Sequence, residues 1–307
     1  MLLSNKYTKY LNGNYIVSTD STGVFLSKRC LRYDEELISE FPDSIDLKIT
    51  NKCFWGCPYC HENSTPEGSS FNLSETINIL DQLPHVPIEI AIGGGNILEV
   101  KKDAVELIKW MKERGLRPRI TVNSKDLVLK YEDLSELINL IDVFGISIEN
   151  LYLIDKIRDL SINNFKTAVF HVIAGIISPQ DLFKLASEEY HSILILGYKQ
   201  WGRALNTKIP DLKETRKVVK TIIENKSSYN CSALGFDNLA IEQLDIKNLV
   251  PKSLWKNIYL GDEGSHSMYI DAVERKFAIT SRSPERTSWN DIKLLDYYDK
   301  INNRRKI

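Results

Sequence analysis

Residues 44–61 read SIDLKITNKCFWGCPYCH, and the two halves of this stretch decide the fold and the chemistry. In the first half Ile45, Leu47 and Ile49 alternate with Asp46, Lys48 and Thr50. Successive side chains of a strand point to opposite faces, so this is a strand with one aliphatic and one polar face. The strand runs directly into Asn51-Lys52-Cys53-Phe54-Trp55-Gly56-Cys57-Pro58-Tyr59-Cys60-His61. Three thiols at C-x3-C-x2-C thus fall in a loop just past a strand's carboxyl end, where βα folds place their chemistry.

Outward from this stretch the same pattern recurs. Strands are predicted at 44–50, 88–94, 117–123, 143–149, 166–174 and 192–198. Amphipathic helices are predicted near 73–83, 101–114, 128–141, 150–160, 179–188 and 212–225. Strands separated by helical segments are the signature of stacked βα units on a parallel sheet. The fold class is α/β, a partial (β/α)6 TIM-like barrel; a doubly wound open sheet shares the same grammar. The polar second face of the strands argues for a wet, ligand-holding interior rather than a filled one. An antiparallel sheet with one solvated face is the alternative, and the intervening helical segments suit it poorly.

Ahead of this region, 14–18 and 23–27 are β-prone runs joined by Thr19-Asp20-Ser21-Thr22, which read as a hairpin. The expected organisation is an N-terminal hairpin extension (1–43), the partial barrel (44–226) and a small α+β C-terminal cap (227–307).

Composition narrows the class. The 307 residues carry 41 acidic and 40 basic side chains and are 43% hydrophobic. That apolar fraction can fill a core, which argues against disorder. The charge balance leaves no basic excess for general nucleic-acid binding. No run approaches the roughly 20 apolar residues of a membrane span, and no secretion signal is visible at the start. Five cysteines are an odd number, which does not suggest a disulfide framework, so a cytoplasmic location is expected.

One short loop with three thiolates can wrap an iron–sulfur cube and leave its fourth iron open. Gly56 would ease the tight turn and Pro58 would stiffen it. Zinc, with His61 as fourth ligand, is the alternative. Cys53-x3-Cys57-x2-Cys60, with Tyr59 before the last cysteine, resembles the radical S-adenosylmethionine (radical SAM) superfamily. Gly93-Gly94-Gly95-Asn96 at the end of the second strand is similar to that family's GGE-type motif, with Gly95 where an acidic residue is common. The resemblance covers roughly residues 44–205.

The resemblance implies that Cys53, Cys57 and Cys60 ligate a [4Fe-4S] cluster whose free iron binds S-adenosyl-L-methionine (SAM). It implies that Gly93, Gly94 and Gly95 let the backbone approach the methionyl amino group. It places the Tyr59 backbone near the adenine, and Asn123 and Ser147 at ribose or carboxylate contacts. It also implies a reducing partner such as flavodoxin or ferredoxin, and a 5′-deoxyadenosyl radical that takes hydrogen from a substrate. Residues 230–282 faintly resemble the SPASM/twitch extension of peptide-modifying members, without the cysteines of an auxiliary cluster. A possible peptide or protein substrate follows from that likeness; a small metabolite or nucleotide is the alternative. A competing class is a non-catalytic iron–sulfur or zinc binding module.

On the substrate side the polar-face candidates are Lys48, Glu89, Arg119, Glu149 and His171, of which the first three could equally form a floor of ion pairs. The loop Gly197-Tyr198-Lys199-Gln200-Trp201-Gly202-Arg203 would sit at the active mouth. Cys231 would lie on a cap over that mouth, where a thiol could return hydrogen to a carbon radical as in radical epimerases.

Overall fold

The computed structural model describes residues 7–20, 26–32, 35–160, 168–187, 192–225 and 229–303. At the N-terminus β1 (Thr8–Asn12), β2 (Tyr15–Thr19) and β3 (Leu26–Cys30) form a three-stranded antiparallel sheet. The expected hairpin is therefore β2 and β3, with the described part of the second strand running to Cys30, three residues beyond the predicted end. Its connection, 21–25, lies outside the described residues. Strand β1 was not foreseen. It pairs Asn12 with Tyr15 across a two-residue turn whose Gly13 has φ +59°, the left-handed conformation that hairpin turns need.

Next come β4 (Ser44–Thr50), α1 (Leu73–Leu80), β5 (Glu89–Gly94), α2 (Lys101–Glu113), β6 (Arg117–Asn123), α3 (Ser124–Leu129), α4 (Tyr131–Leu140) and β7 (Phe144–Ser147). They are followed by α5 (Ile154–Asp159), β8 (Ala168–Ile173), α6 (Pro179–Ser187), β9 (Ser192–Leu196) and α7 (Lys213–Glu224). Strands β4 to β9 pair in parallel in chain order, the six-unit partial barrel.

The remaining elements are β10 (Ala233–Phe236), α8 (Asn238–Gln243), α9 (Lys252–Ile258), β11 (Ser267–Asp271), β12 (Lys276–Ala278), β13 (Thr287–Ser288) and α10 (Leu294–Asn303). They extend the sheet at both edges. Strand β10 adds in parallel to β9, and β11 adds in parallel to β4. The full order is β10-β9-β8-β7-β6-β5-β4-β11-β12-β13, with the last two strands antiparallel. The residues expected as a cap thus complete the sheet as well as contributing side chains to its mouth.

Ile45, Leu47, Ile49, Ile90, Ile92, Ile120, Val122 and Ile146 are buried under the helices, each stabilising by roughly 1.5–3 kcal/mol. The register puts their alternates on the inner face. Asp46, Lys48, Tyr269 and Asp271 stand together on β4 and β11, whereas Val169, Ile173, Leu194 and Leu196 line β8 and β9. One wall of the lumen is charged and the other aliphatic.

The floor is closed by the N-terminal sheet. Asp43, one residue before β4, accepts from Tyr15 Oη at 2.6 Å and Asn12 Nδ2 at 2.7 Å, and pairs with Lys28 Nζ at 2.7 Å. Arg117, at the start of β6, donates to the carbonyl of Asp20 at 2.6 Å and to Thr19 Oγ1. Among the described residues no helix is long and apolar enough to cross a membrane.

Candidate active site

After β4 the chain doubles back on itself. Asn51 N donates to Ser69 O, Cys53 N to Thr65 O and Phe71 N to Ile49 O, all within 2.8–2.9 Å. This ribbon holds the cysteine loop at the carboxyl end of the sheet. Within it Gly56 has φ +60°, and Cys60 N donates to Cys57 O at 3.1 Å, so the predicted tight turn is present. All three thiols are half-buried. Burial pushes Cys53 and Cys57 up from the usual thiol range; Arg203 opposes this at Cys53 and Lys125 at Cys57.

The glycine motif is packed onto this loop. Gly95 N donates to Thr50 O and Asn96 N to Lys52 O, both at 2.7 Å. A Cβ on Gly94, whose φ is +111°, would stand 2.4 Å from Thr50 O, and one on Gly95 would stand 2.2 Å from Lys52 O. Both positions exclude a side chain because two backbones touch there. Gly93 differs: it is exposed, and a Cβ there would meet nothing within 4 Å. It leaves room over the strand end beside the thiols.

Asp126 ties these parts together, and sequence reading missed it. Its Oδ2 accepts from Trp55 Nε1 in the cysteine loop and from Asn96 Nδ2 in the glycine motif, both at 2.7 Å. Lys130 lies 3.7 Å from Oδ1. A carboxylate 2% exposed needs such donors to stay charged. Asn123 is an N-cap, its Oδ1 accepting from Lys125 N at 2.8 Å. Ser147 stands beside it in register on β7 and beside His171 on β8.

Tyr59 is held through its phenol. Burial, a hydrogen bond with Glu149 and the Cys57 thiol all raise its pKa. Glu149 also pairs with Lys125 at 3.2 Å, and that ammonium lies 5.5 Å from the centre of the Trp55 ring. Glu149, first considered for the substrate side, is therefore built into the surroundings of the cysteine loop.

Of the predicted floor ion pairs, Arg119 and Glu89 meet at 3.4 Å, but Lys48 belongs to the mouth. Its ammonium lies 2.9 Å from Glu62 and 3.2 Å from Asp271, and Arg286 reaches Asp271 at 2.7 Å. Burial acts to lower the Lys48 pKa, but the two carboxylates outweigh it and the net shift is upward. Burial lowers His61, so Lys48 and Arg286 carry the positive charge of this group at neutral pH. Asp271 and Arg286 gave no signal in sequence because they are remote from the motif along the chain, and Glu62, although it directly follows His61, gave none because its partner Lys48 is met only in three dimensions. Lys48, Glu62 and Arg286, with His61, Trp201 and Ser281, line a cavity of about 600 Å³ beside the cysteine loop.

The loop after β9 reaches the same place. Lys199 donates to Ser281 Oγ at 3.1 Å, and Trp201 is 41% exposed. Asp46 faces the lumen and is exposed there, on the same side as Lys199. His171 lies over Gly145, where a Cβ would stand 2.5 Å from its ring, and its Nδ1 is 3.3 Å from Thr121 Oγ1. Burial lowers it to about 4. Cys231 is two residues before β10, hence at the end of the sheet opposite the mouth. That position corrects the expectation that its thiol overlooks the reacting centre.

Among the described residues, no three His, Cys, Asp or Glu side chains converge tightly enough for a single metal ion. A cluster instead distributes its ligand sulfurs over separate irons. Three half-buried thiols on one short loop, beside the open space at Gly93, suit such a group.

Residues 47–172 match the family model described as the Radical SAM superfamily. No curated protein gives a significant match. Among solved structures, Streptococcus suis SuiB bound to precursor peptide SuiA superposes with a TM-score of 0.61 at 15% identity, over 87% of this chain and 67% of that one. The same enzyme bound to S-adenosylmethionine gives 0.59 at 14%, over 86% and 68%. Native anSMEcpe with bound AdoMet and the Cp18Cys peptide gives 0.55 at 11%, over 85% and 81%.

Proposed function

The chain is a radical SAM enzyme, a family that works with a [4Fe-4S] cluster and SAM, and from that premise we propose that it modifies a peptide or protein substrate. Cys53, Cys57 and Cys60 would hold the cluster, and Gly93, with nothing within 4 Å of a Cβ there, would leave room for SAM. When bound, the pair supplies a one-electron cleavage of SAM and an adenosyl radical that takes a hydrogen atom from the substrate. A flavodoxin or ferredoxin provides the electron.

The chain's own residues orient and enclose. Asp126 fixes Trp55 and Asn96, and so holds the thiol loop against the glycine motif. Ser147 and Tyr59 border the adenosyl side, and the Asn123 amide group lies next to Ser147. The aliphatic wall of β8 and β9 offers few groups that bind water, which protects a reactive species. The charged cavity walled by Lys48, Glu62 and Arg286 provides hydrogen-bonding groups for a peptide.

The observation that carries this reading is the seating of the three-thiol loop on Gly94 and Gly95 at the carboxyl ends of parallel strands. The peptide assignment draws its support from the two similar folds seen with peptides, SuiB and anSMEcpe. Anaerobic reconstitution should load about four irons per chain and give dithionite-dependent release of 5′-deoxyadenosine. Cys57→Ala should abolish both. Zinc in place of iron, or a cluster that never cleaves SAM, would refute the enzyme assignment. Peptides encoded near the gene should acquire a mass change on incubation with the loaded enzyme; turnover of small metabolites only would refute the substrate class.

A further inference from the structure

Arg203 makes an unusual set of contacts for a cation near a protein surface. Its backbone N–H donates to Cys60 O at 3.0 Å. Its Nε donates to Cys57 O at 3.1 Å, and its Nη1 to Ser64 O at 2.6 Å. Among the described residues no carboxylate pairs with its guanidinium. The residue before it presses on the same loop: Gly202 has φ +57°, and a Cβ there would stand 2.5 Å from His61 O and 2.9 Å from Cys60 O.

Resting on the reading that Cys53, Cys57 and Cys60 hold the cluster, we infer that Arg203 is the positioning residue that fixes the thiol loop for metal loading. Two carbonyls, Cys57 O and Ser64 O, are turned towards one rigid planar fork, and Cys60 O between them is held by the backbone N–H of the same residue. With those peptide planes set, the side chains of Cys57 and Cys60 are directed from a backbone that cannot rotate freely. A guanidinium suits this work because its donors lie in a fixed plane, whereas an ammonium is a point charge on a flexible stem. Charge acts in the same direction. A cube held by three thiolates is net negative, and an uncompensated cation on the adjoining carbonyls stabilises it. Partners behind metal ligands commonly contribute as much to affinity as this arrangement implies.

The arrangement also links two functions. The segment that carries Arg203 carries Trp201, which borders the cavity beside the loop, and Lys199, which donates to the cavity-lining Ser281. A ligand seated on Trp201 therefore rests two residues from the clamp on the metal loop.

The test compares wild type, Arg203→Lys and Arg203→Met after anaerobic iron–sulfur reconstitution. The readouts are iron per chain, the rate of iron loss to an excess chelator, the electron paramagnetic resonance spectrum of the reduced cluster, and Tm. Arg203→Met should keep a wild-type-like circular dichroism spectrum yet lose iron about 10-fold faster or more, with a broadened spectrum. Arg203→Lys, which keeps the charge and loses the fork, should fall between the two. If Arg203→Met does not fold, the chelator rate of Arg203→Lys decides: faster than wild type supports the assignment. Wild-type iron retention and an unchanged spectrum in the folded variants would overturn it. A wild-type protein that takes up no iron would instead overturn the ligand assignment itself, so the two failures are distinguishable.

Discussion

The floor and the mouth of the sheet each contain a buried ion pair beside or on β4, and they are built in opposite ways. At the floor one carboxylate, Asp43, is surrounded by donors from Lys28, Tyr15 and Asn12. At the mouth one ammonium, Lys48, is surrounded by two carboxylates, Glu62 and Asp271. Removing Lys28 from the floor still leaves Asp43 the neutral donors Tyr15 and Asn12. Removing Lys48 leaves two nearby carboxylates facing each other, with Arg286 on only one of them. The first arrangement is redundant and seals. The second shares one ammonium between two carboxylates and lines a cavity, so it is open to change by whatever enters.

That contrast can be broken by substitution. Lys48→Met should be the most damaging, destabilising by about 3–5 kcal/mol in urea unfolding, because uncompensated buried charge is costly. A loss below that of Lys28→Met would show that the mouth is the more tolerant end.

A second experiment separates the charged wall of the lumen from the aliphatic one. His171 sits on the latter with a pKa lowered to about 4 by burial, against about 6.5 in the unfolded chain. As pH falls below 6.5 the unfolded chain binds a proton that the folded chain refuses. Stability should therefore decline towards pH 4, by roughly 3 kcal/mol in total. His171→Gln should flatten that part of the profile, and an unchanged slope would place the effect elsewhere.

Lys28→Met should cost about 2 kcal/mol, the scale of one hydrogen bond to a charged group, with iron loading unaffected. The smallest change is expected from Gly145→Ala, about 1 kcal/mol for crowding the His171 ring. Its clearest sign would be a shifted imidazole resonance in NMR spectra.

Much of this molecule was legible from its sequence. The alternation of Ile45, Leu47 and Ile49 with polar residues gave β4 its bounds, and β6 likewise, because period-2 patterning is a local property. The cysteine spacing placed the candidate site for the same reason. Strand partners are a different matter. Nothing in SMYID (267–271) says that it lies beside 44–50, or that Asp271 will meet Lys48. Those contacts are made by tertiary packing between segments remote in the chain, and the pattern of one strand does not name its neighbour. Asp126 was missed on similar grounds, since it acts through Trp55 and Asn96; Arg203 was placed in the mouth loop, but its hold on the backbone carbonyls of the cysteine loop was not foreseen.

The pairing of β11 with β4 has a consequence for biogenesis. Lys48 and Asp271 are 223 positions apart, so on the ribosome the thiol loop is made long before the wall that encloses it. Contacts of such separation close late, and domains emerge from synthesis N-terminus first. A nascent chain would thus present its cysteines on an unfinished sheet edge, accessible to assembly machinery, and only afterwards shut the compartment around them.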